Sequence, residues 1–377
     1  LKVLLLEKND YIGGAAVSRV LHDGWTYSNC SYVCSLLRPE IFRDLNLQKY
    51  GLQVLAYGGS VTFMENGDIF GGYSDADMFR REISRFSKKD ADAYVRFSRD
   101  VARQCRFIKP MLLRTPPDPT SFKPKDLGEL IYLFKRLYSL GEQTIYDTIR
   151  FYTMSVAEYL EEYFETDVIK AALSGSGIIG TGLGPYSPGT AYVLLHHYMG
   201  EVDGSIGSWG YARGGMGAIS NALAGAFQDH DGEIKKESEV SQIIVKNGRA
   251  KGVVLANGDE YYAKNVVSNL DVKRTYQKLF DPKDLSKKIL KQVDNFKIRG
   301  SSGKLNIALD GLPEFPAMGK KNPLIYADMH FIDSLERMER AFDDWKNGRW
   351  SRDPYTDVLL PTMTDPTMSP PGKHYMS

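Results

Sequence analysis

The sequence predicts an α/β protein of more than one domain, and three observations carry that expectation. Val3-Leu4-Leu5-Leu6 is a continuous apolar run, the pattern of a strand buried on both faces of a parallel sheet. Apolar residues then recur at helical spacing through the middle of the chain, and after Asp231-Gly232 the pattern changes to period two. A chain of 377 residues exceeds the ~100–200 residues of one ordinary domain, so two or three are expected. Lys and Arg number 48 against 47 Asp and Glu, a net charge of +1, which argues against a nucleic-acid binder with a broadly basic surface. Charged residues at 25% and hydrophobic ones at 42% are globular values and exclude the disordered and fibrous classes.

Taken in order, the first strand ends at Glu7 and leads through Lys8-Asn9-Asp10 to Gly13-Gly14. Asp75 to Arg114 reads as two helices, with Asp90 as the cap of the second. After the rigid Pro116-Pro117-Asp118-Pro119, residues Leu127, Leu130, Ile131, Phe134, Leu137 and Tyr138 form one apolar stripe, expected to face a core rather than lipid. Ser155 to Phe164 continues the helical region, and Pro188 opens a helix from Gly189 to Met199. Gly214-Gly215-Met216-Gly217 leads into a helix of small residues from Ala218 to Phe227. Ile243–Val245, Val253–Leu255 and Tyr261–Ala263 are short strands joined at Asn247-Gly248 and Asn257-Gly258, a meander with type I′ turns. Val266 to Asn269 is expected as a further strand, followed by a helix from Asp271. Leu305, Ile307 and Leu309 mark another half-buried strand.

Cys30, Cys34 and Cys105 are too few for a disulfide scaffold and contain no C-x-x-C pair, as expected of a reducing-compartment or organellar protein; Cys30 and Cys34 are expected as small buried hydrophobes. The uncharged stretch Ala171 to Gly200 is broken by glycines and prolines and is not a membrane span. Gly175-Ser176-Gly177-Ile178-Ile179-Gly180 satisfies G-x-G-x-x-G. A phosphate cradle needs a strand before the glycines and a helix N-terminus after them. Here a helical segment precedes and Gly182, Gly184, Pro185 and Pro188 follow, so a loop beside a substrate cavity is expected instead.

The N-terminus offers a better nucleotide site. In a dinucleotide-binding fold the second strand ends in an acid that accepts hydrogen bonds from the adenosine ribose, and Leu1 to Glu7 fits that strand. Gly13-Gly14 a few residues on would let the backbone approach an extended dinucleotide closely, although a tight turn explains the pair equally well. Glu7 does not separate NAD from FAD, because both present the same ribose.

Glu7 to Ala16, including Lys8, Gly13, Gly14 and Ala15, resembles the flavin motif of the phytoene desaturase and amine oxidase superfamily. Gly214-Gly215-Met216 resembles its second glycine motif, beside the isoalloxazine ring. Tyr192-Val193-Leu194-Leu195-His196-His197, Trp209-Gly210-Tyr211 and Asp365-Pro366-Thr367 leading to Pro370-Pro371-Gly372 are similar to a phytoene-desaturase-like branch found in mitochondria. The resemblance implies an FAD-binding, Rossmann-like domain interleaved with an α+β substrate domain, incomplete at both termini. It divides the chain into FAD domain (1–60 and 205–272) and substrate domain (61–204 and 273–377). It also implies that the meander is the antiparallel layer of the FAD domain, that Val240 contacts adenine through its main chain, and that Val266 to Asn269 returns to the parallel sheet.

The implied activity is FAD-dependent oxidation or desaturation of an apolar or amphiphilic small molecule, in mitochondria, with peripheral membrane contact left open and no transmembrane span. The alternative is a catalytically weak protein of the same fold that acts through mitochondrial protein partners. Because a flavin carries the hydride, sequence marks few catalytic residues. Lys304 and Asn306 share one strand face, where Lys304 could hold a water or polarise substrate, or simply face solvent. His196 and His197 point about 100° apart on a helix, so at most one, taken as His197, would shuttle protons; neither has companions for a metal site.

Overall fold

Val3–Leu6 forms its strand and pairs in parallel with Gly232–Lys235, Val3 opposite Gly232 and Leu6 opposite Lys235. In this computed structural model, which describes residues 1–139, 141–319 and 322–377 without the side chain of residue 21, that is its only strand partner. Burial on both faces is therefore corrected: Val3 and Leu5 lie exposed, and only one side of the run packs inward. The helix Gly217–Asp229 connects back to Gly232–Lys235, and its apolar face, Ile219, Ala222 and Ala226, packs with Leu47, Leu52 and Met216.

The largest core is helical. Helices Ala76–Phe86, Lys88–Ile108, Glu142–Thr153, Val156–Glu161, Asp167–Ile178 and Thr190–Tyr198 supply most of it, with Phe97, Leu160, Ile169, Leu194 and Leu195 at the centre. Ser155 opens its helix with a reciprocal capping box to Glu158, which satisfies two backbone donors at once. The cap expected at Asp90 belongs to Ser87, whose hydroxyl accepts from Asp90 N at 3.1 Å. The Asp90 carboxylate instead accepts from Glu165 N and Thr166 N (3.0 and 2.9 Å), joining two helix starts across the core.

A four-stranded sheet runs in the order Asp357–Val358, Asp328–His330, Ser60–Phe63, Ile69–Gly72, with only the middle pair parallel. Val54–Tyr57 pairs antiparallel with Trp209–Ala212, and Ile307–Leu309 with His374–Met376.

Several expectations change. The stripe on Pro124–Tyr138 meets the core at one end only: Leu137 packs against the helical core, but no residue of that helix is fully buried and Ile131 and Phe134 are 55% and 69% exposed. The helix Asp167–Ile178 runs through the first glycines of the G-x-G-x-x-G string, so the expected loop is absent there. A Cβ on Gly175 would stand 2.5 Å from Tyr355 Oη, and one on Gly177 2.9 Å from Val156; these glycines serve close packing. The meander forms as Val240–Lys246, Arg249–Leu255 and Glu260–Tyr262. Asn247 and Gly248 both have positive φ, as a type I′ turn requires, whereas at the second turn only Gly258 does, its N–H donating to Leu255 O. Residues 266–269 make no strand; Val267 is 91% exposed. Beyond them Arg274–Leu279 forms a π-helical segment, where an ordinary helix was expected. Cys34 is buried as expected, but Cys30 is exposed; Cys105 is buried too.

Candidate functional site

Two hydrogen bonds hold the Glu7 backbone, Glu7 N to Lys235 O (3.0 Å) and Ser238 N to Glu7 O (2.8 Å), extending the parallel pair by one residue. Its carboxylate is oriented locally: Oε1 accepts from both Asn9 N and Asn9 Nδ2 at 2.8 Å. The second oxygen makes no such bond among the described residues. Beside it a cavity of about 490 Å³ is lined by Lys8, Asp10, Ser238, Glu239, Leu255 and Ala256. Val240 begins the meander, opposite Leu255 in the ladder. The acid and the valine singled out in sequence do not line this cavity themselves; their chain neighbours Lys8 and Glu239 do.

The two glycine motifs meet at the first turn of Gly217–Asp229. Gly13 has φ +119°, and a Cβ there would lie 2.5 Å from Ala16 O and 2.8 Å from Ser220 Oγ. Ser220 Oγ donates to Ala16 O at 2.7 Å, and Ala15 O accepts from Ser31 N at 2.9 Å, so this loop is pinned at both sides. Gly215, at φ +88°, leaves room for Ser18, whose Oγ would be 2.4 Å from its Cβ. In contrast, Gly14 and Gly214, also at positive φ, have nothing within 4 Å of a Cβ position. Their bare backbone faces open space.

The donors of the second motif are satisfied within the chain. Gly214 N donates to Asp365 Oδ2 (2.6 Å), Gly215 N to Ala212 O (2.9 Å), Met216 N to Ser28 Oγ (3.0 Å) and Gly217 N to Ser18 Oγ (2.9 Å). This motif therefore offers a ligand shape rather than free N–H groups. An oriented acid with an unused oxygen and two uncovered glycine faces are chemically suited to a dinucleotide.

Lys304 and Asn306 do share an inward face, and the alternation is inverted relative to polarity: Leu305 is 75% exposed. Lys304 Nζ donates to Ser28 O and lies 5.4 Å over the Tyr32 ring. Burial lowers its pKa to about 8. Asn306 Oδ1 accepts from Tyr375 Oη at 2.8 Å. Ser28 thus links Lys304, through its carbonyl, to Met216, through its hydroxyl. His197 stands elsewhere, buried in the helical core with Nδ1 at 2.7 Å from Ser176 O and 3.0 Å from Val193 O, its ring stacked on Trp209.

Sequence reasoning missed two features. Asp365, buried, holds the glycine motif by accepting from Gly214 N and also accepts from Thr367 N and Thr367 Oγ1; its string was noticed without its role. Asp328, His330 and Asp357 meet in a second cluster, with Tyr32 Oη donating to Asp357 Oδ2 at 3.4 Å. Burial opposes a charged His330, but the Asp328 and Asp357 carboxylates outweigh it and raise the imidazole pKa. Burial and the neighbouring Asp328 charge raise that of Asp357. Only the alternation Asp328-x-His330 hinted at this cluster, and Asp357 lies too far along the chain to be paired with it by spacing.

The fold is that of an α/β oxidoreductase, and the chain belongs to the flavin containing amine oxidoreductase family, which it matches over residues 1–374. It is similar to the pyridine nucleotide-disulfide oxidoreductase domain-containing protein 2 of mouse, at 32% identity over 400 residues, covering 99% of this chain and 68% of that protein. It is also similar to the lycopene-forming phytoene desaturase of Pseudescherichia vulneris, at 24% identity, covering 82% of this chain and 56% of that protein. An oxidoreductase structure from Methanosarcina mazei shares the fold with a TM-score of 0.58 at 16% identity, covering 100% of this chain and 72% of that one. Among the described residues no helix is long and apolar enough to cross a membrane.

Proposed function

We propose that this chain is the greater part of an FAD-dependent oxidoreductase that oxidises or desaturates an apolar or amphiphilic small molecule, in mitochondria. The observation that carries this reading is the meeting of the two glycine motifs around Ser18, Ser28 and Ser220, with the oriented Glu7 at the end of the strand that leads into the first of them. The chemistry FAD supplies when bound is hydride acceptance and onward electron transfer. Glu7 would accept from ribose hydroxyls through its unused oxygen, and Lys8, Ala15 and the main chain of Val240 would help to hold the adenosine part. Gly14 and Gly214 allow the close approach of an extended ligand, while Gly13, Gly215 and Met216 fix the loops that present it. Lys304, with its pKa near 8, can hold or release a proton at Nζ near neutral pH. The Tyr375 ring, edge-on to Tyr27 at 5.1 Å, shields that inner face from water. The name of the Pseudescherichia relative supports an apolar substrate.

The test is anaerobic: the flavin-loaded full-length protein is mixed with a panel of polyenes, quinols and acyl lipids, and its visible absorption is followed. Bleaching by one class supports the reading; a loaded flavin that none of them reduces favours a second one, a protein of this fold acting through partners. The exposed stripe Leu127, Ile131, Phe134 and Tyr138 is the observation that favours this alternative. Imaging of the tagged full-length protein tests the compartment.

A further inference from the structure

The strands Asp328–His330 and Asp357–Val358 build a second centre that the oxidoreductase reading does not use. Residues two apart on a strand share a face, which places Asp328 beside His330; the antiparallel register then sets Asp357 directly opposite His330. His330 is 8% exposed, and its Nε2 stands 3.3 Å from Asp328 Oδ2 and 3.3 Å from Asp357 Oδ1. One atom from each of the three residues lies within 4.8 Å of the others.

Hydrogen bonding alone does not account for this arrangement. Nε2 carries at most one proton, so it can donate to one carboxylate while the other approaches unprotonated. Of the three facing atoms, Asp357 Oδ1 is buried with no hydrogen-bond partner among the described residues. No lysine or arginine pairs with Asp328 or Asp357 among the described ion pairs, so even a protonated His330 leaves the pair of carboxylates in excess. Two mostly buried carboxylates without a balancing cation are costly.

The spacing suggests what balances them. Donor atoms bound at about 2.0–2.1 Å in tetrahedral array lie roughly 3.3 Å apart, the separation of Nε2 from both carboxylates. We propose that Asp328, His330 and Asp357 bind a divalent cation of the zinc type, with a fourth position left for water or an oxygen ligand. The set is one imidazole and two carboxylates, which suits a borderline cation better than calcium or magnesium, whose sites are all oxygen. Tyr32, which also lies under Lys304, donates to Asp357, and the Tyr355 ring, admitted by the missing side chain of Gly175, lies 5.6 Å from the His330 ring.

The untagged full-length protein is stripped with a chelator, dialysed against Zn²⁺ and analysed for zinc by atomic emission, with FAD content read in the same samples. One zinc per chain is expected in the wild type, with zinc binding at least roughly tenfold weaker in both His330→Gln and Asp357→Asn at unchanged circular dichroism. Zinc absent from the wild type, or bound equally by both folded variants, overturns the proposal. Should the variants unfold, Co²⁺ in the wild type decides: intense visible bands of a tetrahedral site, seen as a difference spectrum against the zinc form, support it, and their absence overturns it. Zinc without FAD contradicts only the flavin reading, and FAD without zinc only this one.

Discussion

Ser18 Oγ occupies the place where a side chain on Gly215 would stand, 2.4 Å from its Cβ position, and from there accepts the Gly217 N–H at 2.9 Å. The second glycine motif is therefore shaped by the strand Ser18–His22. Gly215→Ala must displace Ser18 and strain a backbone at φ +88°. A loss of roughly 1–3 kcal/mol is expected from strain of that kind, read as a lower urea midpoint. Gly214→Ala, with open space at its Cβ position, should lose less stability, from positive φ alone, and show its effect mainly in FAD affinity.

Asp365 reaches the same motif from the far end of the chain. Its carboxylate accepts three bonds, from Gly214 N, Thr367 N and Thr367 Oγ1, and it is buried. Asp365→Ala leaves the Gly214 donor unpaired, and a cost of about 2–4 kcal/mol is expected from bonds to a charged acceptor. Asp365→Asn, which keeps an acceptor, should recover part of it. Equal stability of Ala and Asn variants would contradict this role.

Lys304 sets a pH dependence. Burial lowers its pKa from 10.5 to about 8, so between these values the unfolded chain binds the extra proton and the folded chain does not. Stability attributable to Lys304 thus rises with pH across that window, and below about pH 8 the full cost of charging it in place remains. Lys304→Met should flatten the rise, measured by urea unfolding at several pH values. A variant that keeps the wild-type slope would show that another group titrates.

The exposed part of the stripe on Pro124–Tyr138 contributes little to folding, because Ile131 and Phe134 lie open to solvent. Ile131→Ser and Phe134→Ser should change stability by no more than about 0.5 kcal/mol. A large fall in melting temperature would mean that the stripe packs against part of the folded protein.

What could be read from the sequence was what depends on local pattern. Asn247-Gly248 produced its hairpin because both φ values are positive, and the small residues around Ala222 produced a helix that can lie close to its neighbours. Glu7 and Gly13-Gly14 were recognisable as a strand end and a close approach for the same reason. Periodicity could not say which face of a helix meets a core, so the Leu127–Tyr138 stripe was assigned inward. The string Gly175 to Gly180 looked like a loop because glycine signals a turn, yet Tyr355, far along the chain, is what requires Gly175 to be bare. Asp365 and the Asp328–His330–Asp357 group arise from contacts between distant segments, and no spacing rule reaches them. At Lys304 the alternation was legible but its direction was inverted, since Ser28 O gives the ammonium an inward partner.

The most direct test of the account is FAD titration of the full-length protein, followed by quenching of flavin fluorescence, for the wild type and for Glu7→Gln. One FAD per chain is predicted, with affinity lower by roughly 10- to 100-fold in Glu7→Gln, the cost of losing a charged acceptor worth about 1.5–3 kcal/mol. Failure of the wild type to bind FAD, or equal affinity in the variant, would contradict the dinucleotide site placed at Glu7.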